Sequence, residues 1–193
     1  MANANTRPYE ILAGPVEVYF APTGTAFPTV AGTNIPSPWE HVGYTEGGVK
    51  AGHPQTVVEL RADQVTGPIK AVRSEEGLEI TFDVAALTTD NYAMALNRAI
   101  EGPDSAAGNK SVPLYRGGFQ VETIALLLRN DHLSSEGDFP LQMEVPVCFQ
   151  AGSPESAFTK DNKTVLSCSF HAIVDPNRTT DEESFGRLRM ATA

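Results

Sequence analysis

The chain is poor in cysteine and has no long apolar run. Cys148 and Cys168 are the only cysteines among 193 residues, too few for the dense disulfide framework of a small secreted domain. No apolar signal core opens the sequence, and no window approaches the length of a membrane span. We therefore expect folding in a reducing cytoplasm. That compartment favours two free thiols, although a single disulfide remains the alternative.

Positive charge is also scarce. The chain has 14 Lys and Arg residues against 24 Asp and Glu residues, which gives a formal net charge of −10. Such a chain cannot neutralise many phosphates, which argues against tight nucleic-acid binding. It does not exclude contact with DNA that slides past. The simpler interpretation of the acidity is solubility.

Motifs of catalysis are missing as well. Residues 102–111 resemble a phosphate-binding loop, but the spacing is one residue too long and the segment follows a helix pattern instead of a strand. The four histidines lack metalloprotease spacing, and no serine lies in a nucleophile elbow. Acidic and His side chains between 131 and 138 are candidates for a hard cation, but a solvated loop explains them as well. We expect no enzyme, no cofactor and no metal site.

What the sequence does have is a period of two between frequent turns. Its 16 Gly and 14 Pro residues are spread along the chain, as in an all-β domain of short elements. The alternation is clearest at Leu78–Val84, where apolar side chains share one face. The predicted strands are 14–20, 39–49, 55–62, 78–84, 119–129, 139–150 and 163–174. Residues 63–75 are polar and rich in turn signals.

One segment changes to the helical period. Thr88 and the polar residues after it offer N-cap side chains, and apolar residues recur at helical spacing up to Ile100. Gly102 and Pro103 then end the pattern. We predict a helix over 88–100 that covers one end of the sheet packing, and a long loop over about 101–118.

These elements predict a mainly β fold. We expect two packed antiparallel sheets, a β-sandwich or partial barrel, with one flanking α-helix. Residues 1–193 are assigned to a single domain, with an N-terminal arm 1–13, a β core 14–174 and a C-terminal arm 175–193. Free sheet edges invite pairing with another chain, and pairing around a closed ring removes them.

The order of the landmarks resembles one family over nearly the whole chain. Ala21–Pro28 is similar to that family's A-P-x-G-T-x-x-P loop, and Trp39–Val49 to its W-x-x-x-G-Y-x-x-x-G-V strand. Further similar segments are the strand-to-helix junction Leu78–Phe82 with Leu87–Leu96, the exit Phe170–Pro176 and the tail at Phe185-Gly186. The family is that of the major tail tube proteins of long-tailed bacteriophages, especially those with flexible, non-contractile tails. The loop 101–118 departs from the family pattern.

The resemblance implies a structural subunit of hexameric rings that stack into a tail tube and guide the genome. The implied partners are further copies of the chain, a tape-measure protein, the tail terminator and distal tail proteins, and double-stranded DNA in transit, with no membrane and no cofactor. The implied location is the virion tail, after assembly in the host cytoplasm. Two alternatives stay open: another self-assembling tube or tail-completion protein, such as a contractile-tail or secretion-system tube, and a monomeric β-sandwich binding module.

Three sets of residues are candidates for these contacts. The polar faces of the predicted strands offer carboxylates that would let DNA slide, and the channel-lining candidates are Glu59, Glu122, Gln142 and Glu144. The turn-rich stretch 46–76 is predicted as a hairpin or loop that touches the adjacent ring, with Asp63, Gln64, Arg73, Glu75 and Glu76 as candidates. The two arms are predicted to lie on neighbouring subunits, anchored by Tyr9, Ile11, Leu12, Phe185 and Leu188.

Overall fold

The computed structural model describes residues 14–30, 34–98, 110–115, 118–130, 140–158, 160–177 and 180–190. Its strands are β1 Glu17–Pro22, β2 Glu40–His41, β3 Thr45–Gly52, β4 Gln55–Arg61, β5 Pro68–Glu76, β6 Glu79–Val84, β7 Ile124–Asn130, β8 Leu141–Gln150, β9 Leu166–Ala172 and β10 Arg187–Met190. The α-helix in this part of the chain is α1, Thr89–Ala95. The predicted mainly β class with one helix is confirmed.

The large sheet is antiparallel and strongly curled. Its strand order is β2-β1-β7-β8-β9-β6-β3, with β10 added beside β8, and β4 and β5 form a second, two-stranded sheet. The end strands β2 and β3 follow each other in the chain, separated only by residues 42–44. The sheet therefore curls until its two ends are close together, as in a partial barrel that does not close.

The curl is made at β8, which exchanges one partner strand for another along its length. One edge of β8 pairs with β7, whereas the other pairs with β10 at Leu141–Glu144 and with β9 at Cys148–Gln150. Pro146 lies between these two stretches, where the pairing with β7 also shifts register. Proline has no N–H to donate to a ladder, and a bulge bends a strand. The sheet therefore divides at Pro146.

The main core fills the inside of the curl. Phe20 of β1, Phe82 of β6 and Phe170 of β9 are buried there together, and the predicted face of Leu78–Val84 is confirmed as core. The bulge at Pro146 changes which side chains of β8 point inward, so Cys148 enters this core. Phe149, the next residue, is half-buried on the opposite side of β8, with its ring 6.1 Å from that of His171.

The opposite face of β1, β7 and β8 is covered by the chain between β1 and β2. Trp39 and Phe27 from this segment pack on Ala125 and Leu127 of β7. The Trp39 indole N–H donates to the carbonyl oxygen of Ala26 at 3.0 Å, which fixes the segment's shape. These strands are therefore covered on both faces, although the chain above them is a loop.

The helix begins where the sequence predicts and ends earlier. The Thr88 hydroxyl accepts a hydrogen bond from the Asn91 N–H at 3.1 Å, as an N-cap residue does. α1 stops at Ala95 and not near Ile100, because Asn97 adopts a positive φ of 54°. The Asn97 side chain then bonds to both the N–H and the carbonyl oxygen of Gln150, and so ties the end of α1 to β8.

Two predictions about extended segments need correction. The polar stretch 63–75 contains most of β5, so it is half of a strand pair and not only turns. Residues 175–193 were expected to lie on neighbouring subunits. Instead a short 3-10 helix, Asp181–Glu183, leads into β10, which pairs with β8 of the same chain. The strand with which a segment pairs depends on which edge of the sheet is free, and the hydropathy of the segment does not show which edge that is.

The close approach of Gly186 to β8 yields a test of this C-terminal docking. Gly186 has φ +128°, and a Cβ there would overlap the backbone oxygen of Glu144. Gly186→Ala should therefore cost the backbone strain of about 1–3 kcal/mol and the clash as well. Gly48, at φ +80° in open space, is the matched control and should show the strain alone. Urea unfolding followed by Trp39 fluorescence measures both, and equal losses would contradict the docking.

Candidate assembly site

The hairpin β4–β5 stands apart from the main sheet. Its two strands pair with each other and with no other strand of the described chain, and every residue in them is exposed. The Gly77 N–H donates to the Pro54 carbonyl oxygen at 3.0 Å and closes the base of the hairpin. The predicted hairpin is therefore confirmed for residues 55–76, whereas residues 46–52 of the predicted range belong to β3 of the main sheet. Its contact with an adjacent ring remains a prediction.

One face of the hairpin is ionic. Arg73 donates to Gln55 Oε1 at 3.0 Å and to Glu76 Oε2 at 2.8 Å. Arg61 and Glu59 form a second pair at 2.9 Å. We call these five residues the ionic hairpin face. All are solvated, so each pair adds little stability.

The other face carries three apolar side chains beside the polar residues Thr56, Lys70 and Glu75. Residues opposite each other in antiparallel strands point to the same side, and Val58 pairs with Val72 while Leu60 pairs with Lys70. We call Val58, Leu60 and Val72 the apolar hairpin face. All three are more than two-fifths exposed. An isolated two-stranded hairpin is marginal in water, and the described residues leave the apolar side chains of this one uncovered, so the face is a candidate contact surface.

The inter-ring candidates all fall on this hairpin. Asp63 and Gln64 lie in the turn between β4 and β5, and Arg73 and Glu76 lie on the ionic face. Glu75 accepts a hydrogen bond from the Thr56 hydroxyl at 3.3 Å. Sequence reasoning selected these polar residues and missed the apolar hairpin face. The signal was present in the alternation of Val58 and Leu60 within β4, but the turn-rich polar sequence before β5 hid the second strand.

The channel-lining candidates divide into two pairs. Glu59 is exposed on the ionic hairpin face, and Glu122 is exposed just before β7, so their place in a channel stays a prediction. For Gln142 and Glu144 the prediction is wrong, because both are almost fully buried within the subunit. The loop between β1 and β2 covers them, and Gln142 donates to the Pro28 carbonyl oxygen at 2.8 Å.

Glu144 instead holds the C-terminal strand. Its side chain is 2% exposed, and Arg187 Nε contacts Oε2 at 2.6 Å while Arg189 Nη1 contacts Oε1 at 3.2 Å. Gln142 Nε2 donates to the same Oε1 at 2.7 Å. A buried carboxylate is tolerated only when paired and hydrogen-bonded, and β10 supplies both arginines.

The candidate anchors of the two arms differ in their surroundings. Phe185 is partly buried against the main core of its own subunit, so it anchors β10 and not an arm on a neighbour. Leu188 is 57% exposed and is buried by nothing in the described chain. Tyr9, Ile11 and Leu12 lie outside the described residues.

The two thiols are free and buried. Burial raises the pKa of Cys148, and burial together with the nearby Asp83 carboxylate raises the pKa of Cys168 to about 12. The reactive thiolate is therefore disfavoured at neutral pH. Both side chains serve as small apolar residues of the core.

Within the described ranges no three His, Cys, Asp or Glu side chains are grouped so as to hold a metal ion. The acidic loop 131–138 lies outside these ranges. No helix among the described residues is long and apolar enough to cross a membrane.

Comparison with known proteins does not name a family. No protein-family model matches the chain, and no curated protein matches it either. The resemblance to tail tube proteins therefore stays an inference from the order of its motifs.

The Glu144 cluster predicts a specific coupling. Replacing Arg187 and Arg189 together by Ala should lower the free energy of unfolding by about 2 kcal/mol, because a buried carboxylate loses its partners. In a Glu144→Gln background the same replacement should cost clearly less. Arg61→Ala, which breaks an exposed pair, is the control and should cost under about 1 kcal/mol. Chemical denaturation of the unchanged chain, the three variants and the control measures these losses, and equal costs in both backgrounds would refute the coupling.

The thiols make a second prediction. Native protein at pH 8 should not react with a thiol reagent such as dithiobis-nitrobenzoate, because burial disfavours both thiolates. Unfolding in guanidinium should release two reactive thiols per chain, as expected for free Cys148 and Cys168. Absorbance of the released product counts them. Rapid labelling of the folded chain would contradict this burial.

Proposed function

We propose that this chain is a structural subunit that assembles with its own copies into the stacked rings of a bacteriophage tail tube. In this proposal the chain has no catalytic role. Support comes from the order of motifs that resemble tail tube proteins and from a hairpin with an uncovered apolar face. A structural protein of a virion needs such surfaces, since its function is to be covered by its neighbours.

The apolar hairpin face carries the proposal. Val58, Leu60 and Val72 belong to neither core cluster of the described residues, so beyond their cross-strand contacts they add little to the stability of the isolated subunit. Burying them against a neighbour would remove apolar area from water and would also order the hairpin. A monomeric binding module could use the same surface for a foreign protein, and the experiments below distinguish the two.

The excess of acidic over basic residues is compatible with a channel through which DNA passes. A carboxylate repeated by each subunit of a ring repels phosphate or leaves it unbound, whereas Lys or Arg would hold it through counterion release. The effect reaches only about 8 Å at physiological salt, so only groups at the channel wall matter. Glu59 and Glu122 are the exposed candidates that remain.

Assembly is testable with the purified chain. Negative-stain electron microscopy and sedimentation velocity should show rings or tubes of uniform width at high concentration. A chain that stays monomeric at every accessible protein concentration would contradict the proposal and favour a binding module.

Removal of the hairpin is the decisive variant. Because Pro54 and Gly77 are hydrogen-bonded at its base, residues 55–76 can be replaced by an Asn-Gly turn without disturbing the main sheet. The variant should keep the β signature of its circular dichroism and a cooperative unfolding transition, yet form no tubes. Normal-length tubes from this variant would show that the hairpin has no part in assembly.

A further inference from the structure

Two segments that are far apart in the chain lie over the same two side chains of β8. Gln142 and Glu144 are almost fully buried on the face of β8 opposite the main core. Residues 26–30, from the loop between β1 and β2, cover them, and β10 lies beside them on the edge of β8. We call residues 26–30 the cover segment. Its position is fixed from outside, because the Trp39 indole N–H donates to the Ala26 carbonyl oxygen.

The Gln142 side chain is hydrogen-bonded toward both segments. Its Nε2 donates to the Pro28 carbonyl oxygen at 2.8 Å and to Glu144 Oε1 at 2.7 Å. Because both partners are acceptors, only the amide nitrogen can occupy this place. Arg189 Nη1 of β10 donates to the same Oε1 at 3.2 Å. A chain of hydrogen bonds therefore runs from the cover segment through Gln142 and Glu144 to β10.

Each segment makes the docking of the other more favourable. Without the cover segment, Glu144 and its arginines would form a solvated ion pair, which contributes little to stability. Without β10, the cover segment would bury a carboxylate that has lost two charged donors, Arg187 Nε at 2.6 Å and Arg189 Nη1. The two dockings are therefore coupled, and such a coupling is reciprocal.

The two segments meet at a seam that is not fully packed. A cavity of about 160 Å³ lies there, lined by Phe27 of the cover segment, by Glu144, and by Gly186 and Arg187 where β10 begins. A water molecule takes up about 30 Å³ in the liquid, so the cavity has room for a few. Water can thus replace the hydrogen bonds to Glu144 as the segments separate, while the main core on the other face of β8 stays closed.

We propose that the cover segment and β10 form a two-part latch that opens and closes as one unit, with Gln142 and Glu144 as its joint. The latch belongs to the single subunit, so it goes beyond the proposed function and does not rest on it. Opening would free the edge of β8 at Leu141–Glu144 for another strand and would expose the charged face of β8 in the same step.

Hydrogen exchange of the full chain tests the coupling, with mass spectrometry for backbone amides and NMR for the indole. In Arg189→Ala, β10 loses one of its two ties to Glu144, so the amides of residues 187–190 should exchange about fivefold faster or more. The Trp39 indole N–H, which reports on the cover segment, should speed up by a similar factor, although the replaced side chain is on β10. Arg189→Lys keeps the positive charge and should change both rates less.

The reverse variant perturbs the cover segment. Trp39→Phe removes the indole N–H that holds Ala26, so the amides of residues 187–190 should exchange faster even though Trp39 packs on β7. Arg61→Ala removes an arginine from an exposed ion pair of the hairpin and is the matched control. It should leave the exchange of both segments within about twofold of the unchanged chain.

The exchange pattern decides the inference. Faster exchange at both segments, with unchanged exchange in α1 and β6, supports the latch. Faster exchange in the altered segment alone would show that the two segments open independently and would overturn it. Unchanged exchange in both segments would overturn it as well, and so would an equal increase in α1 and β6, which indicates global unfolding. None of these results decides whether the chain assembles, so the proposed function stands or fails on its own tests.

Discussion

The divided pairing of β8 is the constraint on which the rest of the structure depends. One edge of this strand is held by β7, and the other is shared between β10 and β9. Pro146 lies where the partner changes, since it offers no N–H to either neighbour. Because of this division the sheet can curl around a single core, and an edge segment of β8 remains for the end of the chain.

The buried charge follows from that free edge. β10 fills it and brings Arg187 and Arg189 to Glu144, which the loop between β1 and β2 has removed from water. The carboxylate would be costly without them, so the docking of β10 and the burial of Glu144 depend on each other. Glu144, a candidate for the channel wall, thus holds the subunit together instead, and any acidic channel wall must be made by other residues.

The docking of β10 on β8 also creates an exposed apolar surface. β10 extends the core face of β8 with Leu188 and Met190, which the described part of the chain leaves about half exposed. The hairpin β4–β5 exposes a second set of apolar side chains, Val58, Leu60 and Val72. In the proposed function, a net charge of −10 opposes premature contact between copies, because like charges repel each other.

Local features of the sequence were enough for the mainly β class, for the strands at 55–61 and 79–84 and for the start of α1 at Thr88, because periodicity and capping are properties of neighbouring residues. They were not enough for Gln142 and Glu144, whose polar alternation is that of a solvated face. Nor did they show that residues 187–190 form a strand, or that β5 follows a polar turn. Alternation tells which residues share a face. Whether that face is exposed to solvent depends on segments far away in the chain. Here these segments are the loop that ends at Trp39 and the strand that begins at Arg187, and only the tertiary structure brings them together.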